Sequence, residues 1–320
     1  MGCGVPSPGE LMDAGAKSCP NCPVCGGADV DRIGRLPDTN LFAGRFLDST
    51  LTGGCLYRCK NCHIRFRFPI EDAEIYAALY DNQDTLAWPA DPERPDWDRV
   101  IRYVTEHRTE GSVLDFGCYT GGLLARFGAA YERYGVEVNR AAAMEASNNT
   151  NRRVFASAEE IPEQQRFDVI TACDVVEHMT NPAQLIGKLV SLLSDDGILI
   201  VTTGDGDNPL WNRFGANWWY CYYPEHLTFI SKAWLDHVCG DLGASILYWE
   251  KFRYCSLSGV SRPFHVGLTY LYGWFPSVYL TLRRRFDKLR NRQGTTSVTG
   301  VGVSDDHLFV VLGKSVREQG

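Results

Sequence analysis

Four clusters of reactive side chains stand out along the 320 residues of the chain. The first is a pair of Cys-x-x-Cys knuckles, Cys22/Cys25 in SCPNCPVCGG and Cys59/Cys62 in YRCKNCHIRF. Each knuckle lets backbone N–H groups turn around a metal while two thiolates approach it, so two pairs complete a tetrahedral zinc site. Cys19, three residues before Cys22, is a spare ligand for the same ion. The second cluster is the loop VLDFGCYTGGLLARF, where an apolar run ends on Asp115 and a glycine turn precedes a helical pattern. It follows the D-x-G-x-G-x-G spacing of a nucleotide-type loop except that Tyr119 stands where the middle glycine belongs. The third is DVVEH, which sets Asp174, Glu177 and His178 on one short stretch. In the fourth, WWYCYYPEHLTFIS, the aromatic residues Trp218, Trp219, Tyr220, Tyr222 and Tyr223 crowd Glu225 and His226.

These clusters need elements to position them, and the hydrophobic pattern predicts those elements. From Ser112 onward, strands read at SVLDFG, RYGVEV, RVFAS, FDVITACD and GILIVTT, with helices between them at GLLARFG, AAAMEASNN and PAQLIGKLVSLL. A further helix, KAWLDHVCGDLG, and two strands, SILYWEKFRY and DHLFVVLGK, follow. Continuous apolar strands alternating with amphipathic helices predict a buried parallel sheet and an α/β fold. In such a sheet the ligand sits beyond the carboxyl ends of the strands, at the topological switch point. Asp115 and Gly117 end the first strand there. Gly121 and Gly122 open the next helix, whose free N–H groups attract a carboxylate or phosphate. Glu137 ends the second strand, 22 residues after Asp115, where a carboxylate can accept both hydroxyls of a ribose. This much suits NAD as well as S-adenosylmethionine.

Composition bounds the rest. With 44% hydrophobic and 22% charged residues the chain can bury a proper core. A net charge of −7 argues against broad electrostatic capture of nucleic acid. The twelve cysteines occur without a recognisable export signal, so their clustering points to metal rather than to disulfides. Ser7 falls one place late for N-myristoylation, and the longest apolar stretch, VGLTYLYGWFPSVYLTL, is broken by Gly273 and Pro276. The default expectation is a cytoplasmic protein. The pattern divides it into a disordered tail (1–18), a zinc ribbon (19–68), a helical linker (69–98) and a main domain (99–316) with an insertion at 255–304. Within that insertion, 266–292 turns from aromatic to basic. It could cover the substrate as a lid, form a dimer contact, or lie on an anionic membrane surface.

The stretch FDVITACDVVEHMTNPAQLIGKLVSLLSDDGILIVTT resembles the class I S-adenosylmethionine-dependent methyltransferases, in particular the branch of the ubiquinone-type O-methyltransferases. The resemblance covers about 105–250 and the last strand. It implies a Rossmann-like, seven-stranded, mostly parallel, doubly wound sheet, here preceded by a small zinc-ribbon domain. Carried onto this chain, it places Asp115, Gly117 and Gly121 along the methionine portion of S-adenosylmethionine, Glu137 on the ribose and Ala158 near the adenine. Tyr119 would point away from the cofactor or cap it, and Asp174 would face the region of methyl transfer. The segment YPEHLTFIS is similar to the Y-x-E-H stretch of sugar C-methyltransferases that also carry an N-terminal zinc module. That similarity implies Tyr223, Glu225 and His226 as catalytic residues, with His226 as the base. The acceptor would be a small-molecule, sugar or glycan- or lipid-linked hydroxyl, or a carbon next to a keto group. Those sugar enzymes have a further C-terminal domain for which this chain is too short, which leaves the acceptor open.

Two other readings compete. Asp174, Glu177 and His178, joined by His226, resemble the metal site of small-RNA 2′-O-methyltransferases, where a divalent ion activates a ribose hydroxyl. The first acid here is Asp rather than Glu. The remaining reading is a non-catalytic protein that binds S-adenosylmethionine and uses the ribbon as its contact module.

Overall fold

A computed structural model describes residues 20–43, 45–70, 75, 76, 79, 94–150, 153–255, 259, 261–289 and 302–315. The expected tail, Cys19, most of the linker and residues 290–301 of the insertion lie outside the described residues.

Apolar alternation builds a central sheet from β6 (Gly111–Phe116), β7 (Tyr131–Val136), β8 (Val154–Phe155), β9 (Phe167–Cys173), β10 (Leu193–Gly204), β12 (Ala244–Phe252) and β13 (His307–Lys314). Its order is β12-β13-β10-β9-β6-β7-β8. The run from β10 to β8 is parallel, while β13 lies antiparallel to both β10 and β12. The seven-stranded, mostly parallel sheet expected from the sequence is therefore present. Its strands alternate faces residue by residue, as a period of two requires. Leu114, Ile170, Leu199, Val201 and Val310 pack with Ile186 and Leu189 of helix Pro182–Ser191 and with Trp234 and Leu235 of helix Lys232–Val238. Val113, Val169, Ile198, Ile200 and Val311 pack on the other face with Val100 and Val104 of helix Pro95–His107 and Leu123 and Leu124 of helix Gly122–Arg126. Each such side chain contributes about 1.5–3 kcal/mol by leaving water. The chain runs outward from β6 to β8 and returns to β9 beside β6, so the switch point lies between β6 and β9.

The N-terminal module holds five short strands: β1 (Val30–Arg35), β2 (Thr39–Phe42), β3 (Arg45–Leu51), β4 (Cys55–Cys59) and β5 (Arg65–Phe68). β2 pairs with β3. The others form a second sheet, β1-β4-β5-β11, whose last strand, β11 (Thr228–Phe229), comes from beyond the central sheet's β10. Thr228 sits opposite Phe66 and Phe229 opposite Arg65. This second sheet is thus completed by the strand that directly follows Glu225 and His226. The two helices of the insertion, Arg262–Trp274 and Pro276–Leu289, pack through Tyr272 and Tyr279 on an aromatic cluster with Trp211, Phe214, Trp218 and Tyr222. No helix among the described residues is long and apolar enough to cross a membrane.

Candidate active site

The glycine loop closes tightly after β6. Gly117 takes φ +77°, and a Cβ there would stand 2.7 Å from Val175 Cγ2, so only glycine fits. Its N–H and that of Cys118 donate to Val136 O at 2.8 and 3.0 Å, tying the loop to β7. Gly121, at φ +81°, caps helix Gly122–Arg126. Tyr119 occupies the left-handed region at φ 47°, where a middle glycine would sit without cost. Its N–H donates to Glu137 Oε2 at 2.9 Å, and Asn139 N–H donates to Glu137 Oε1 at 2.8 Å. The carboxylate is thereby fixed at the end of β7. Burial pushes its pKa up, against those backbone donors. Asp115, 4% exposed, accepts from Thr171 Oγ1 at 2.6 Å. Burial pushes its carboxyl up to about 7 despite that bond. Ala158 opens a short 3-10 turn, Ala158–Glu160, and is buried.

Asp174 ends β9 in another left-handed conformation, φ 55°. Its Oδ2 accepts from Arg94 Nη2 at 2.7 Å, and the same guanidinium holds Asp96 at 2.6 Å. Arg94 also lies over the rings of Trp97 and Tyr254, 4.9 and 5.5 Å from their centroids. Burial lifts the Asp174 carboxyl to about 6, with Arg94 pulling it back. Of the four non-glycine residues at positive φ among the described residues, Ala43, Tyr119 and Asp174 all belong to this region. Strain of this kind persists where surrounding structure enforces it, and it gathers at functional sites.

The segment 219–226 faces the other side. His226 Nδ1 lies 2.9 Å from Tyr220 O, and His178 Nδ1 lies 3.0 Å from Glu225 O. A carbonyl only accepts, so both rings carry their proton on Nδ1. Burial depresses the His226 pKa well below its usual value, and the neighbouring His178 adds to this, so the ring is neutral at pH 7. Glu177 is buried and accepts from Thr203 Oγ1 at 2.8 Å and from Tyr220 OH at 2.7 Å. One donor atom from each of Glu177, His178 and His226 falls within 4.8 Å of the others. Of the constellation expected for a divalent ion, these three converge, while Asp174 is turned to Arg94.

Glu225 is 1% exposed, and its Oε1 accepts from Ala43 N at 3.0 Å across the boundary of the two modules. Its Oε2 and Trp219 Nε1 are buried without a hydrogen-bond partner among the described residues. Tyr223 stacks edge-on against Trp219, and its ring lies 5.2 Å from that of His226. The whole segment is stapled by Arg67 of β5. Its guanidinium donates to His226 O, Gly53 O, Cys221 O and Tyr223 O at 3.3, 2.7, 2.9 and 3.1 Å. Arg65 reaches Gly206 O and Asp207 in the same way.

The four thiols Cys22, Cys25, Cys59 and Cys62 gather with their Sγ atoms within 4.8 Å of one another. Cys22–Cys62 and Cys25–Cys59 are 3.6 and 3.5 Å apart, close to the ~3.8 Å edge of a tetrahedron with ~2.3 Å zinc–sulfur bonds. Cys62 N–H also donates to Cys59 Sγ at 3.5 Å. The donor set fits one tetrahedral metal ion.

Sequence reasoning did not single out Arg94, Arg67, Tyr254 or the pair Asp306–His307. His307 Nδ1 lies 2.8 Å from Asp306 Oδ1, and its ring packs 4.6 Å from Tyr254. Asp-His at the start of the last strand is legible in DHLFVVLGK, but only the register opposite Gly204 carries it to the site.

Residues 91–248, just under half of the chain, match a family model described as "Methyltransferase domain". The ubiquinone biosynthesis O-methyltransferase of Rhodopseudomonas palustris is 30% identical over 102 residues, 28% of this chain and 39% of that one. The enzyme of the same description from Bradyrhizobium diazoefficiens is 30% identical over 100 residues, with the same two shares. The chain thus spans about two fifths of the length of these curated relatives. Among solved structures, the YcgJ protein of Bacillus subtilis aligns at 16% identity and a TM-score of 0.47, covering 69% of this chain and 97% of that one. Magnesium protoporphyrin IX methyltransferase from Synechocystis PCC 6803, solved with bound SAH, aligns at 16% identity and a TM-score of 0.43, covering 68% and 82%. Residues 91–248 are thus similar to a methyltransferase domain, with a weak likeness to the ubiquinone O-methyltransferases.

Proposed function

We propose that the protein transfers a methyl group from S-adenosylmethionine to a small-molecule or saccharide acceptor, at a hydroxyl or at a carbon beside a keto group, with His226 as the base. The observation that supports this most directly is the fixed tautomer of His226. Tyr220 O holds the proton on Nδ1, so Nε2 carries the lone pair, and burial keeps the ring neutral and ready to accept a proton. S-adenosylmethionine supplies an electrophilic methyl group on a good leaving group. Glu137 would accept from its ribose, and Asp115 with the loop at 117–121 would hold its methionine end. Glu225 positions the His226 segment through Ala43. The orphaned Glu225 Oε2 and Trp219 Nε1 suit an acceptor with both donor and acceptor groups. Holding the two reactants in line contributes on the order of 7–11 kcal/mol, and a positioned base adds about 10²–10⁴-fold. A zinc ion on Cys22, Cys25, Cys59 and Cys62 would be structural, shaping the module that braces this segment.

The test is calorimetric titration of zinc-replete protein with S-adenosylmethionine, followed by turnover on sugar and lipid-linked acceptors. Glu137→Ala should weaken cofactor binding by about 10–100-fold, the loss expected of a charged hydrogen-bond partner. His226→Gln should bind cofactor as the parent does yet turn over about 10²–10⁴-fold more slowly. A parent protein that binds no cofactor would sink the whole reading, whereas an unimpaired His226→Gln would sink only the base. The convergence of Glu177, His178 and His226 favours a second reading, a divalent ion that activates the acceptor. Under it, a chelator that leaves the four-cysteine site loaded abolishes turnover, and added divalent ion restores it.

A further inference from the structure

The insertion hairpin presents two unlike faces. Its inner face is locked to the domain: Thr269, Tyr272 and Tyr279 are buried, and a Cβ on Gly273 would meet the Phe214 ring at 2.1 Å. Its outer face carries Phe264, Trp274, Phe275, Val278 and Leu282, which are 67, 53, 57, 51 and 54% exposed. These are five of the twelve exposed large apolar side chains among the described residues, so the apolar surface is concentrated here rather than scattered. Phe275, Val278 and Leu282 follow an i, i+3, i+7 spacing, one stripe along helix Pro276–Leu289. Trp274 extends it at the hairpin tip.

Charge identifies what this stripe meets. The chain is acidic overall, at −7, yet no Asp or Glu occurs between Glu250 and Asp287. Within it the hairpin carries Arg262, Arg283, Arg284 and Arg285, whereas Lys251 and Arg253 at the end of β12 are paired with Asp205 and Asp305. Arg262 and Arg285 are exposed, one on each helix of the hairpin. Arg213, from outside the interval, lies over the Tyr270 and Trp274 rings at 5.1 and 5.5 Å. An apolar stripe on helices whose cations outnumber their single acid, Asp287, is the pattern of a helix lying in the headgroup region of an anionic bilayer. In a symmetric pair of copies the same cations would face one another, which disfavours that contact.

We infer that the outer face of the hairpin 262–285 docks the protein peripherally on anionic phospholipid membranes, with Trp274, Phe275, Val278 and Leu282 entering the interface. The inner face packs on the cluster holding Trp218 and Tyr222, so docking would bring the His226 segment close to the lipid surface. The inference does not depend on which acceptor is methylated, or on whether one is.

The experiment is co-flotation of the full chain with vesicles of phosphatidylcholine alone and of phosphatidylcholine doped with phosphatidylglycerol. The parent protein should float with the anionic vesicles only, and less so as salt rises. The variant Phe275→Ser/Val278→Ser/Leu282→Ser should bind at least about tenfold more weakly, because each lost side chain removes several buried methylenes. Arg262→Gln and Arg285→Gln should each weaken binding about fivefold, the equivalent of ~1 kcal/mol per charge. All altered side chains are exposed, so unchanged thermal unfolding shows that the fold survives. No flotation of the parent with anionic vesicles overturns the inference. So does flotation that the triple-serine variant retains, because the contact then lies elsewhere. A parent dimer that the triple-serine variant splits, without vesicle binding, reassigns the face to contact between copies and overturns it as well.

Discussion

Two buried glutamates mark the two ends of the proposed site, Glu137 where the cofactor would bind and Glu225 where the acceptor would, and they are held in opposite ways. Glu137 takes its hydrogen bonds from Tyr119 and Asn139, 18 and 2 residues away in the chain. Glu225 takes its own from Ala43, 182 residues away. One β-α-β unit is enough to hold Glu137 at the end proposed for the cofactor. The acceptor end exists only because β5 and β11 pair and because Arg67 gathers four carbonyls, of which three lie in the segment 221–226. Damage to the N-terminal module should therefore dismantle the acceptor end and leave the cofactor end standing.

The largest expected effect comes from the four cysteines proposed to hold zinc. Structural zinc contributes on the order of 10 kcal/mol to the fold of a small module. Cys62→Ser should release zinc to a colorimetric indicator, uncouple β11 and abolish turnover. Affinity for S-adenosylmethionine should stay within a few-fold of the parent. If cofactor affinity collapses together with the zinc, the two ends are not separable and the comparison breaks.

A smaller loss should follow from Arg67→Met. The side chain is 4% exposed, and its removal leaves buried carbonyls at Gly53, Cys221, Tyr223 and His226 without this donor. At about 1–3 kcal/mol for each buried group left unpaired, and with partial relaxation, the expected cost is about 3–5 kcal/mol. Denaturant unfolding measures it. A cost below ~1 kcal/mol would mean that the β5–β11 pairing alone carries the joint.

The same contrast of local and distant partners decides what the sequence reveals. Asp115, Gly117, Tyr119 and Glu137 are readable because strand, turn and helix put them at fixed short spacings. All seven strands of the main sheet are readable as short, mostly apolar runs between helical patterns, although β8 shrinks to Val154–Phe155. Arg94 was not readable: it follows a Pro-rich stretch without motif, and its partner Asp174 lies 80 residues on. Nor was the fourth strand of the smaller sheet, because Thr228–Phe229 is too short to announce itself and gains its identity from Phe66 and Arg65. His226 was legible only through the likeness of YPEHLTFIS to known enzymes, whereas its tautomer depends on a carbonyl that only the fold brings near.

The pH response should separate the ends further. Asp115 holds a proton up to about 7 in the folded chain, whereas an unfolded chain releases it near ~3.9. The folded state therefore binds more protons across that window, and this group's contribution to stability falls as pH rises through it, then levels off above about 7. A cofactor with a cationic methionine end prefers the ionised carboxylate. Affinity for S-adenosylmethionine should thus rise by up to about tenfold per pH unit below 7 and flatten above it. Asp115→Asn should remove that slope. His226, whose pKa burial depresses, is neutral above about 6.5 and should add no inflection there. A slope that survives Asp115→Asn would assign the titration to another group.

The smallest effect concerns the residue that breaks the glycine pattern. Tyr119 sits at φ 47°, where an L-residue other than glycine is strained by about 1–2 kcal/mol. Tyr119→Gly relieves that strain but gives the unfolded chain more freedom, which costs about 0.4–1 kcal/mol. The two nearly cancel, so stability should change by no more than about 1 kcal/mol. The backbone N–H that holds Glu137 Oε2 remains in the variant, because it belongs to the main chain and not to the ring. Cofactor affinity should therefore change by less than about fivefold, as read by the same titration. A loss of tenfold or more would show that the tyrosine ring itself contacts the cofactor, and the cofactor end would then depend on a side chain as the acceptor end does.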